Sequence, residues 1–493
     1  MSETDLEAKH LETLDRDLGR FATLERATTY VTRPLVAPGI AFLFVVTAGL
    51  VAALLLGSSS QGLIVVAAAV FGAYMALNIG ANDVANNMGP AVGANALSMG
   101  GAIAIAAVCE SAGALIAGGD VVSTISNGIV APEALDDSAT FIWAMMAALL
   151  ASALWVNLAT WISAPVSTTH AVVGGVLGAG VVAVGFGAVN WTQMGMIAAS
   201  WVISPVLGGL IAVAVLWFIK ARIIYREDKI AAARAWVPVL VGVMAGAFAT
   251  YLVMKGLKKV VHVSLDGALL FGLVVGSICW LVMIPITRRQ SRGLENRNKS
   301  LKVLFGVPLV ASAALLSFAH GANDVANAVG PLAAIVQATQ SGTLQGSVSI
   351  PFWVMLIGAF GISFGLALFG PKLINMVGSQ ITKLNPMRAY CVALSAAITV
   401  ILASWLGLPV SSTHIAVGGV FGVGFFREWD VERRLRRARM AVPTADLSPL
   451  ERRRRKLVRR NHVLTIGTAW VVTVPATAVL AGLLFMLLRQ LPV

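Results

Sequence analysis

The sequence predicts an all-α polytopic membrane protein, an inverted-topology repeat with two re-entrant helical hairpins and broken transmembrane helices. The first observation is composition: 58% of the 493 residues are apolar and only 12% are charged, whereas soluble domains carry about 25% charged residues. The second is a pair of motifs that recurs in the same order. The third is that Lys and Arg are distributed differently around the two copies. Together they exclude an ordinary soluble enzyme, a disordered chain and a secreted disulfide scaffold.

The start of the chain is polar and precedes the repeats. Residues 1–35 mix acids and bases without an apolar core, so we expect a polar cytoplasmic tail and not a secretory signal peptide. An extra N-terminal transmembrane helix follows at 36–57. The three cysteines lie singly in apolar stretches, and their spacing indicates neither a disulfide framework nor a zinc site. No cofactor is expected.

An internal repeat is visible in two motifs. GANDVAN at 80–86 recurs at 321–327, and PVSTTH at 165–170 recurs as PVSSTH at 409–414. Two motifs repeated in order at nearly equal spacing indicate a duplicated unit. The predicted divisions are a first repeat at 62–219, a linker with two transmembrane helices at 220–302 and a second, inverted repeat at 303–488.

Equivalent loops of the two repeats differ in charge. Residues 171–191 contain no Lys or Arg, whereas the Arg-rich loop at 427–462 contains 13. Because Lys and Arg concentrate in cytoplasmic loops, the two loops lie on opposite sides and the repeats are inverted. Nine crossings and two hairpins place 32 of the 36 Lys and Arg inside. We therefore expect a multi-pass protein of the cell (inner) membrane with a cytoplasmic N-terminus.

The charges also predict the two hairpins. Segment 389–426 has basic residues at both ends, so both ends lie in the cytoplasm and PVSSTH lies near a re-entrant tip. Segment 138–188 has none at either end, which predicts the same hairpin from the outside. Non-helical backbone at that depth is tolerated only where protein or water lines it.

The Asn-Asp motifs lie inside long apolar segments at 62–95 and 303–337. A nearby Gly-Pro weakens each helix and frees carbonyls, while the side chains add oxygens suited to a hard cation. Carboxylates at mid-membrane are expensive and usually functional. For the asparagines, hydrogen bonding between helices is the alternative. The candidate cation ligands are Asn82, Asp83, Asn86, Asn323, Asp324 and Asn327.

Each hairpin tip carries a run of hydroxyls after its proline. Hydroxyls and free N–H groups at a helix start attract anions, so the two tips could hold a tetrahedral oxyanion between them. The alternative is helix capping without a ligand. The candidate anion ligands are Ser167, Thr168, Thr169, Ser411, Ser412 and Thr413.

Three further titratable residues are candidates. His170 and His414 follow the hydroxyls; they either carry coupling protons or, as we favour, fix the hairpin turn as neutral side chains. Glu110 lies in an apolar crossing and is a cation ligand or proton carrier, with a buried protonated acid as the alternative. The aligned stretch near Ile362 is apolar, so the predicted site is asymmetric.

These motifs resemble those of the PiT family of inorganic phosphate transporters. GANDVANNMGP at 80–90 and GANDVANAVGP at 321–331 are similar to its paired signature, as are both hairpin tips, Glu110 with SAGAL, and VVTVPATAV at 471–479. The resemblance covers roughly 62–488. It implies cation-coupled phosphate import by alternating access, driven by sodium or protons and in some members involving metal-phosphate complexes. It also implies cations at both Asn-Asp motifs and Glu110, with phosphate at the tips.

Three alternatives remain open. A sulfate symporter on the same scaffold is the closest, although phosphate keeps a proton and Asp83 and Asp324 could accept it. A membrane hydrolase at Ser167 or Ser411 lacks an orienting acid, and mid-membrane carboxylates disfavour a passive anion channel. The expected partners are phosphate, co-transported Na⁺ or H⁺ and membrane lipid; a homodimer is left open, and the Arg-rich loop suits lipid headgroups, not nucleic acid.

Overall fold

The structure, a computed structural model, describes most of the chain. The described residues are 35–56, 60–130, 137–162, 164–256, 263–341, 350–377, 384–441 and 460–491. Residues 1–34 of the predicted tail (1–35) and residues 442–459 of the predicted Arg-rich loop (427–462) lie outside them. Among the described residues, 11 helices are long and apolar enough to cross a membrane. The predicted all-α, multi-pass membrane class is confirmed.

The helices follow the predicted order. The first half contains α1 Leu35–Leu56, α2 Ser60–Gly93, α3 Met99–Ala117, α4 Gly119–Asn127, α5 Ser138–Trp161, α6 Thr168–Val184 and α7 Trp191–Ile219. The linker contains α8 Lys229–Lys255 and α9 Leu265–Gln290. The second half contains α10 Leu301–Leu304, α11 Gly306–Asp324, α12 Ala326–Ser341, α13 Phe352–Met376, α14 Pro386–Trp405, α15 Ser412–Ala441 and α16 Arg460–Leu488.

The two Asn-Asp segments differ in how they are broken. The second is interrupted at Val325, directly after Asp324, and not at its Gly-Pro. The first, α2, is one helix of 34 residues that continues through Pro90. Neighbouring helices can support a proline inside a membrane helix. The predicted break at the Gly-Pro is therefore absent from both segments, and the oxygens near the Asn-Asp motifs are mainly those of side chains.

Both predicted hairpins are present. Helices α5 and α6 form the first, whose described tip residues are 162 and 164–167, and α14 and α15 form the second, with the tip at 406–411. In the second tip, Gly407 has φ of +67°, a conformation that glycine adopts without steric cost. The Gly407 carbonyl accepts a 2.7 Å hydrogen bond from Thr124 of α4. The turn is thus anchored to the opposite repeat.

Each repeat contributes its last helix to the hairpin of the other repeat. Helix α7 packs along α15, and α16 packs along α6. A Cβ atom on Gly418 would lie 2.2 Å from the Pro205 carbonyl oxygen, and one on Gly178 would lie 2.1 Å from the Ala478 carbonyl oxygen. Small residues let membrane helices approach this closely. The two repeats are therefore interlocked through their hairpins.

We expect Gly418→Val to destabilise the protein strongly, because the added carbons would meet backbone that cannot move aside like a flexible side chain. Overpacking typically costs about 1–3 kcal/mol. The measurement is the thermal midpoint of the purified protein in detergent. Gly195→Val on α7 is the matched control, since a Cβ there meets nothing within 4 Å. Equal midpoints for the two variants would contradict the close packing.

Two ion pairs join helix ends at separate places. Lys255 at the end of α8 pairs with Asp120 of α4. Lys220, after α7, lies 2.7 Å from Asp430 on the extension of α15, and the Tyr225 hydroxyl donates to the same carboxylate. Burial opposes ionisation of Asp430, but the hydrogen bonds from Lys220 and Tyr225 prevail and lower its pKa. The second hairpin is thereby tied to the helix that supports it.

Candidate functional site

The repeats cross each other at two equivalent glycines. A Cβ atom on Gly80 would lie 1.9 Å from the Ile362 carbonyl oxygen, and one on Gly321 would lie 2.0 Å from the Glu110 carbonyl oxygen. Helix α2 therefore crosses α13 as α11 crosses α3. Because only glycine permits such an approach, the first residue of each GANDVAN motif determines how close these helices are.

An approximate two-fold axis passes through the centre of the molecule. Ser111 and Ser363, one position beyond Glu110 and Ile362, touch each other through their hydroxyls at 2.6 Å. At the tips, the rings of His170 and His414 lie 4.4 Å apart in an edge-to-face arrangement. Residues at equivalent positions contact each other only near a symmetry axis. The site lies around this axis.

The first asparagine of each motif binds the hairpin of its own repeat. Asn82 Nδ2 donates to the Thr160 hydroxyl at 3.0 Å and to the Ala164 carbonyl at 3.3 Å, and its Oδ1 accepts from the Val166 N–H at 3.3 Å. Asn323 makes the equivalent bonds to Ser404 at 3.0 Å, Leu408 at 3.2 Å and Val410 at 3.3 Å. Both amides thus hydrogen-bond to the hairpin tips, which favours the alternative that these asparagines hydrogen-bond between helices. Cation binding by Asn82 and Asn323 stays a prediction.

Both hairpin tips reach the carboxylates. Asp83, 1% exposed, accepts hydrogen bonds from Thr168 of its own repeat at 2.8 Å and from Thr413 of the other repeat at 3.4 Å. Asp324, equally buried, accepts one from Ser412 at 3.4 Å. The predicted acids and hydroxyls therefore form one buried cluster.

The last asparagine of each motif reaches across to the opposite tip. Asn86 Nδ2 donates to the Thr413 hydroxyl at 2.8 Å. Asn327 Nδ2 donates to Thr169 at 3.2 Å and to Thr168 at 3.4 Å. Each repeat therefore positions hydroxyls that belong to the other.

Two of the predicted hydroxyls are helix caps. Ser167 Oγ accepts the His170 N–H at the start of α6, and Ser411 Oγ accepts the His414 N–H at the start of α15. A capping hydroxyl still has its own proton to donate. Both serines are nearly fully buried, so each helix start directs its N–H groups into the protein interior near the axis.

The two predicted histidines lie where the hairpins meet. The His170 ring packs 3.8 Å from the ring of Trp201 on α7. The indole N–H of Trp201 donates to the Pro409 carbonyl in the other tip at 3.1 Å. This packing suits the interpretation that the histidines fix the turns; their role remains a prediction.

His320 is the residue that sequence reasoning missed. Its Nδ1 lies 3.2 Å from Glu110 Oε2, and its Nε2 lies 3.0 Å from Asp324 Oδ2 and 3.7 Å from Asp83 Oδ2. Glu110 Oε1 also accepts a 2.9 Å hydrogen bond from Asn87. A histidine directly before the second GANDVAN motif, inside an apolar segment, was the available signal.

The cluster is suited to cations. Asp83, His320 and Asp324 each offer one ligand atom, and these atoms lie within 4.8 Å of one another. With Glu110, three carboxylates and one imidazole share a site that is at most 1% exposed. Buried charges of one sign are tolerated only with compensation. Bound cations could provide it, and the oxygens present suit hard ones.

Comparison with known proteins gives the family. The profile described as the phosphate transporter family matches residues 79–481. A Helicobacter pylori (strain J99) protein named "Putative phosphate permease" is 47% identical, covering 94% of this chain and 97% of its own. A Thermococcus kodakarensis protein of similar name is 35% identical, covering 85% and 96%.

A solved structure agrees with the sequence relatives. It is titled "The sodium-dependent phosphate transporter", shares 34% identity and a TM-score of 0.78, and the match covers 87% of this chain and 100% of that chain. The family profile and the solved structure of similar fold thus point to transport and not to an enzyme. The chain belongs to the phosphate transporter family.

Proposed function

We propose that the protein imports inorganic phosphate across the cell (inner) membrane by sodium-coupled symport with alternating access. The observation that carries the proposal is that both hairpin tips donate hydroxyls to the one carboxylate of Asp83. An oxyanion site and a cation site then share atoms, so each ion affects the other's binding. The sodium-dependent phosphate transporter of similar fold supports sodium as the cation.

Phosphate binds between the two tips in this proposal. Hydroxyls that donate to a carboxylate can donate equally to a phosphate oxygen, and the starts of α6 and α15 add N–H groups and the positive ends of two helix dipoles. The phosphate ligands are Ser167, Thr168, Thr169, Ser411, Ser412 and Thr413. Phosphate retains a proton at neutral pH, and the carboxylates of Asp83 and Asp324 can accept it, which favours phosphate over sulfate.

The coupling cations bind at the carboxylates. Asp83 and Asp324 are the primary ligands, with Asn82, Asn86, Asn323 and Asn327 beside them and Glu110 reaching the site through His320. In a buried site of low dielectric, an anion beside bare carboxylates is strongly repelled. Phosphate therefore binds well only after the cations, and that order couples the two fluxes.

Alternating access follows from the interlocked repeats. We assign 62–219 and 303–488 as the transport repeats around the 220–302 linker, with the N-terminus in the cytoplasm. Each hairpin moves together with the last helix of the other repeat, because α6 is packed on α16 and α15 on α7. Rocking of these two units about the axis would expose the site to each side in turn.

The test is phosphate uptake by the purified protein in proteoliposomes with sodium and pH gradients imposed separately. An inward sodium gradient is expected to drive accumulation above equilibrium, whereas a pH gradient without sodium gives only the level of empty liposomes. Excess sulfate should leave uptake unchanged, and excess unlabelled phosphate should abolish the labelled signal. Accumulation driven by pH alone would show proton coupling instead.

A further inference from the structure

The approximate symmetry of the site is broken at three positions. On one side of the axis the residues are polar: Asn87, Glu110 and His320. Each of them has a buried apolar residue at the equivalent position of the opposite repeat: Ala328 for Asn87, Ile362 for Glu110 and Ile79 for His320. The equivalence is structural as well as sequential, because the Glu110 and Ile362 carbonyls face the two motif glycines in the same way.

The three polar residues contact one another in series. Asn87 donates to Glu110 at 2.9 Å, and the other Glu110 oxygen lies 3.2 Å from His320 Nδ1. The opposite ring nitrogen, Nε2, faces Asp324 at 3.0 Å and Asp83 at 3.7 Å. The chain of contacts therefore runs from an amide on α2 to both carboxylates. We call Asn87, Glu110 and His320 the polar relay.

The two carboxylates consequently have different surroundings. Asp83 accepts hydrogen bonds from two threonine hydroxyls, the nearer at 2.8 Å. Asp324 has one serine hydroxyl at 3.4 Å, with the imidazole of His320 closer than that hydroxyl. No histidine can face Asp83 in the same way from its own helix, because the equivalent position is Ile79.

We propose that the polar relay positions the Asp324 carboxylate and makes the two halves of the cation site unequal in sodium affinity. Groups just outside the ligands commonly orient them, and their removal weakens metal binding about 10–100-fold. His320 is therefore a positioning residue, with Glu110 and Asn87 fixing its ring. This inference rests on the proposed sodium-coupled function.

The relay has a natural replacement in the same molecule. Asn87→Ala, Glu110→Ile and His320→Ile together replace the relay by the residues found at the equivalent positions, and Glu110 and His320 are removed as a pair, so neither is left buried without the other. We expect this triple variant to fold, with a thermal midpoint close to that of the native protein. The sodium concentration for half-maximal uptake should rise about tenfold or more. The KM for phosphate at saturating sodium should change less than about threefold, since the carboxylates of Asp83 and Asp324 and the hydroxyls of both tips are intact.

Two single variants test the two ring nitrogens of His320 separately, and neither adds bulk to the site. Gln places its amide near the position of Nε2, and Asn places its amide near that of Nδ1. His320→Gln should therefore keep near-native sodium dependence, whereas His320→Asn should show the weakened dependence. Ile79→Leu, at the position equivalent to His320, is the control for a change in packing alone and should leave the sodium dependence unaltered.

Sodium-dependent thermal stabilisation in detergent gives a second readout that needs no transport, since a ligand that binds the folded state raises its midpoint. Loss of this shift in His320→Asn and its retention in His320→Gln support the proposal. Equal sodium dependence in the two variants overturns it, as does native sodium dependence in the folded triple variant. A failure of sodium coupling itself would appear differently, as the absence of any sodium effect in the native protein.

Discussion

Asp83→Asn and Asp324→Asn are each expected to abolish sodium-driven phosphate accumulation. Asn keeps the shape, and its one amide oxygen can still accept a hydroxyl hydrogen bond, but it removes the negative charge that holds a cation in a buried site. Removing one partner of a buried charge pair costs about 3–5 kcal/mol, and about 3 kcal/mol corresponds to a loss of more than a hundredfold in binding. Initial uptake rates in proteoliposomes under an inward sodium gradient measure this.

The matched control is Asp120→Asn. This carboxylate pairs with Lys255 at a helix end, where its side chain is 48% exposed, and exposed pairs contribute about 0–1 kcal/mol. Native uptake is expected. The thermal midpoints of Asp83→Asn and Asp324→Asn should stay close to that of the native protein, since a neutral amide is easier to bury than a carboxylate. Unchanged uptake in Asp83→Asn or Asp324→Asn would falsify the role assigned to that residue.

Removing the hydroxyls that face the carboxylates should weaken phosphate binding. Thr168→Val and Ser412→Ala each delete one donor without adding bulk. A hydrogen bond to a charged group contributes about 1.5–3 kcal/mol, so the KM for phosphate should rise roughly tenfold to a hundredfold. The double variant should fall further, to near-background uptake. The measurement is concentration-dependent uptake at saturating sodium.

Thr339→Val controls for the loss of a threonine hydroxyl that lies outside the hairpin tips, on α12. Its hydroxyl donates to the Ile335 carbonyl within α12 at 2.8 Å, so its loss should leave the KM native. If Thr168→Val retained a native KM for phosphate, the tip hydroxyl would be a structural donor to Asp83 and nothing more. A lowered maximal rate with an unchanged KM would also contradict phosphate binding by this hydroxyl. It would indicate that the hydroxyl contributes to the movement of the hairpin.

The main features of the fold could be predicted from the sequence because they are encoded locally. The length of the apolar segments predicted the membrane crossings, and the distribution of Lys and Arg predicted the inverted repeat. The PVSTTH and PVSSTH motifs marked the hairpin tips that the structure contains. Asp83 and Asp324 stood out because an acid in an apolar segment is costly whatever surrounds it. Such signals need no knowledge of which helices are neighbours.

What could not be predicted depends on which helices are neighbours. The bonds of Asn82 to the first tip and of Asn323 to the second join residues about 80 positions apart. His320 carries no periodic signal, and its importance comes from Glu110 on another helix. The Gly-Pro pairs, read as helix breakers, are instead accommodated within α2 and α12 because surrounding helices support them.

The exchange of last helices also bears on how such a protein could arise. A lone copy of the first repeat would have α7 but no α16, so the glycine-lined face of its own hairpin helix α6 would lack the partner that fills it. In an antiparallel pair of such repeats, the last helix of each copy would cover the hairpin of the other, as α16 and α7 do here. A single-repeat ancestor could therefore have covered both hairpins as an antiparallel, helix-swapped dimer, and gene fusion would make that pairing permanent.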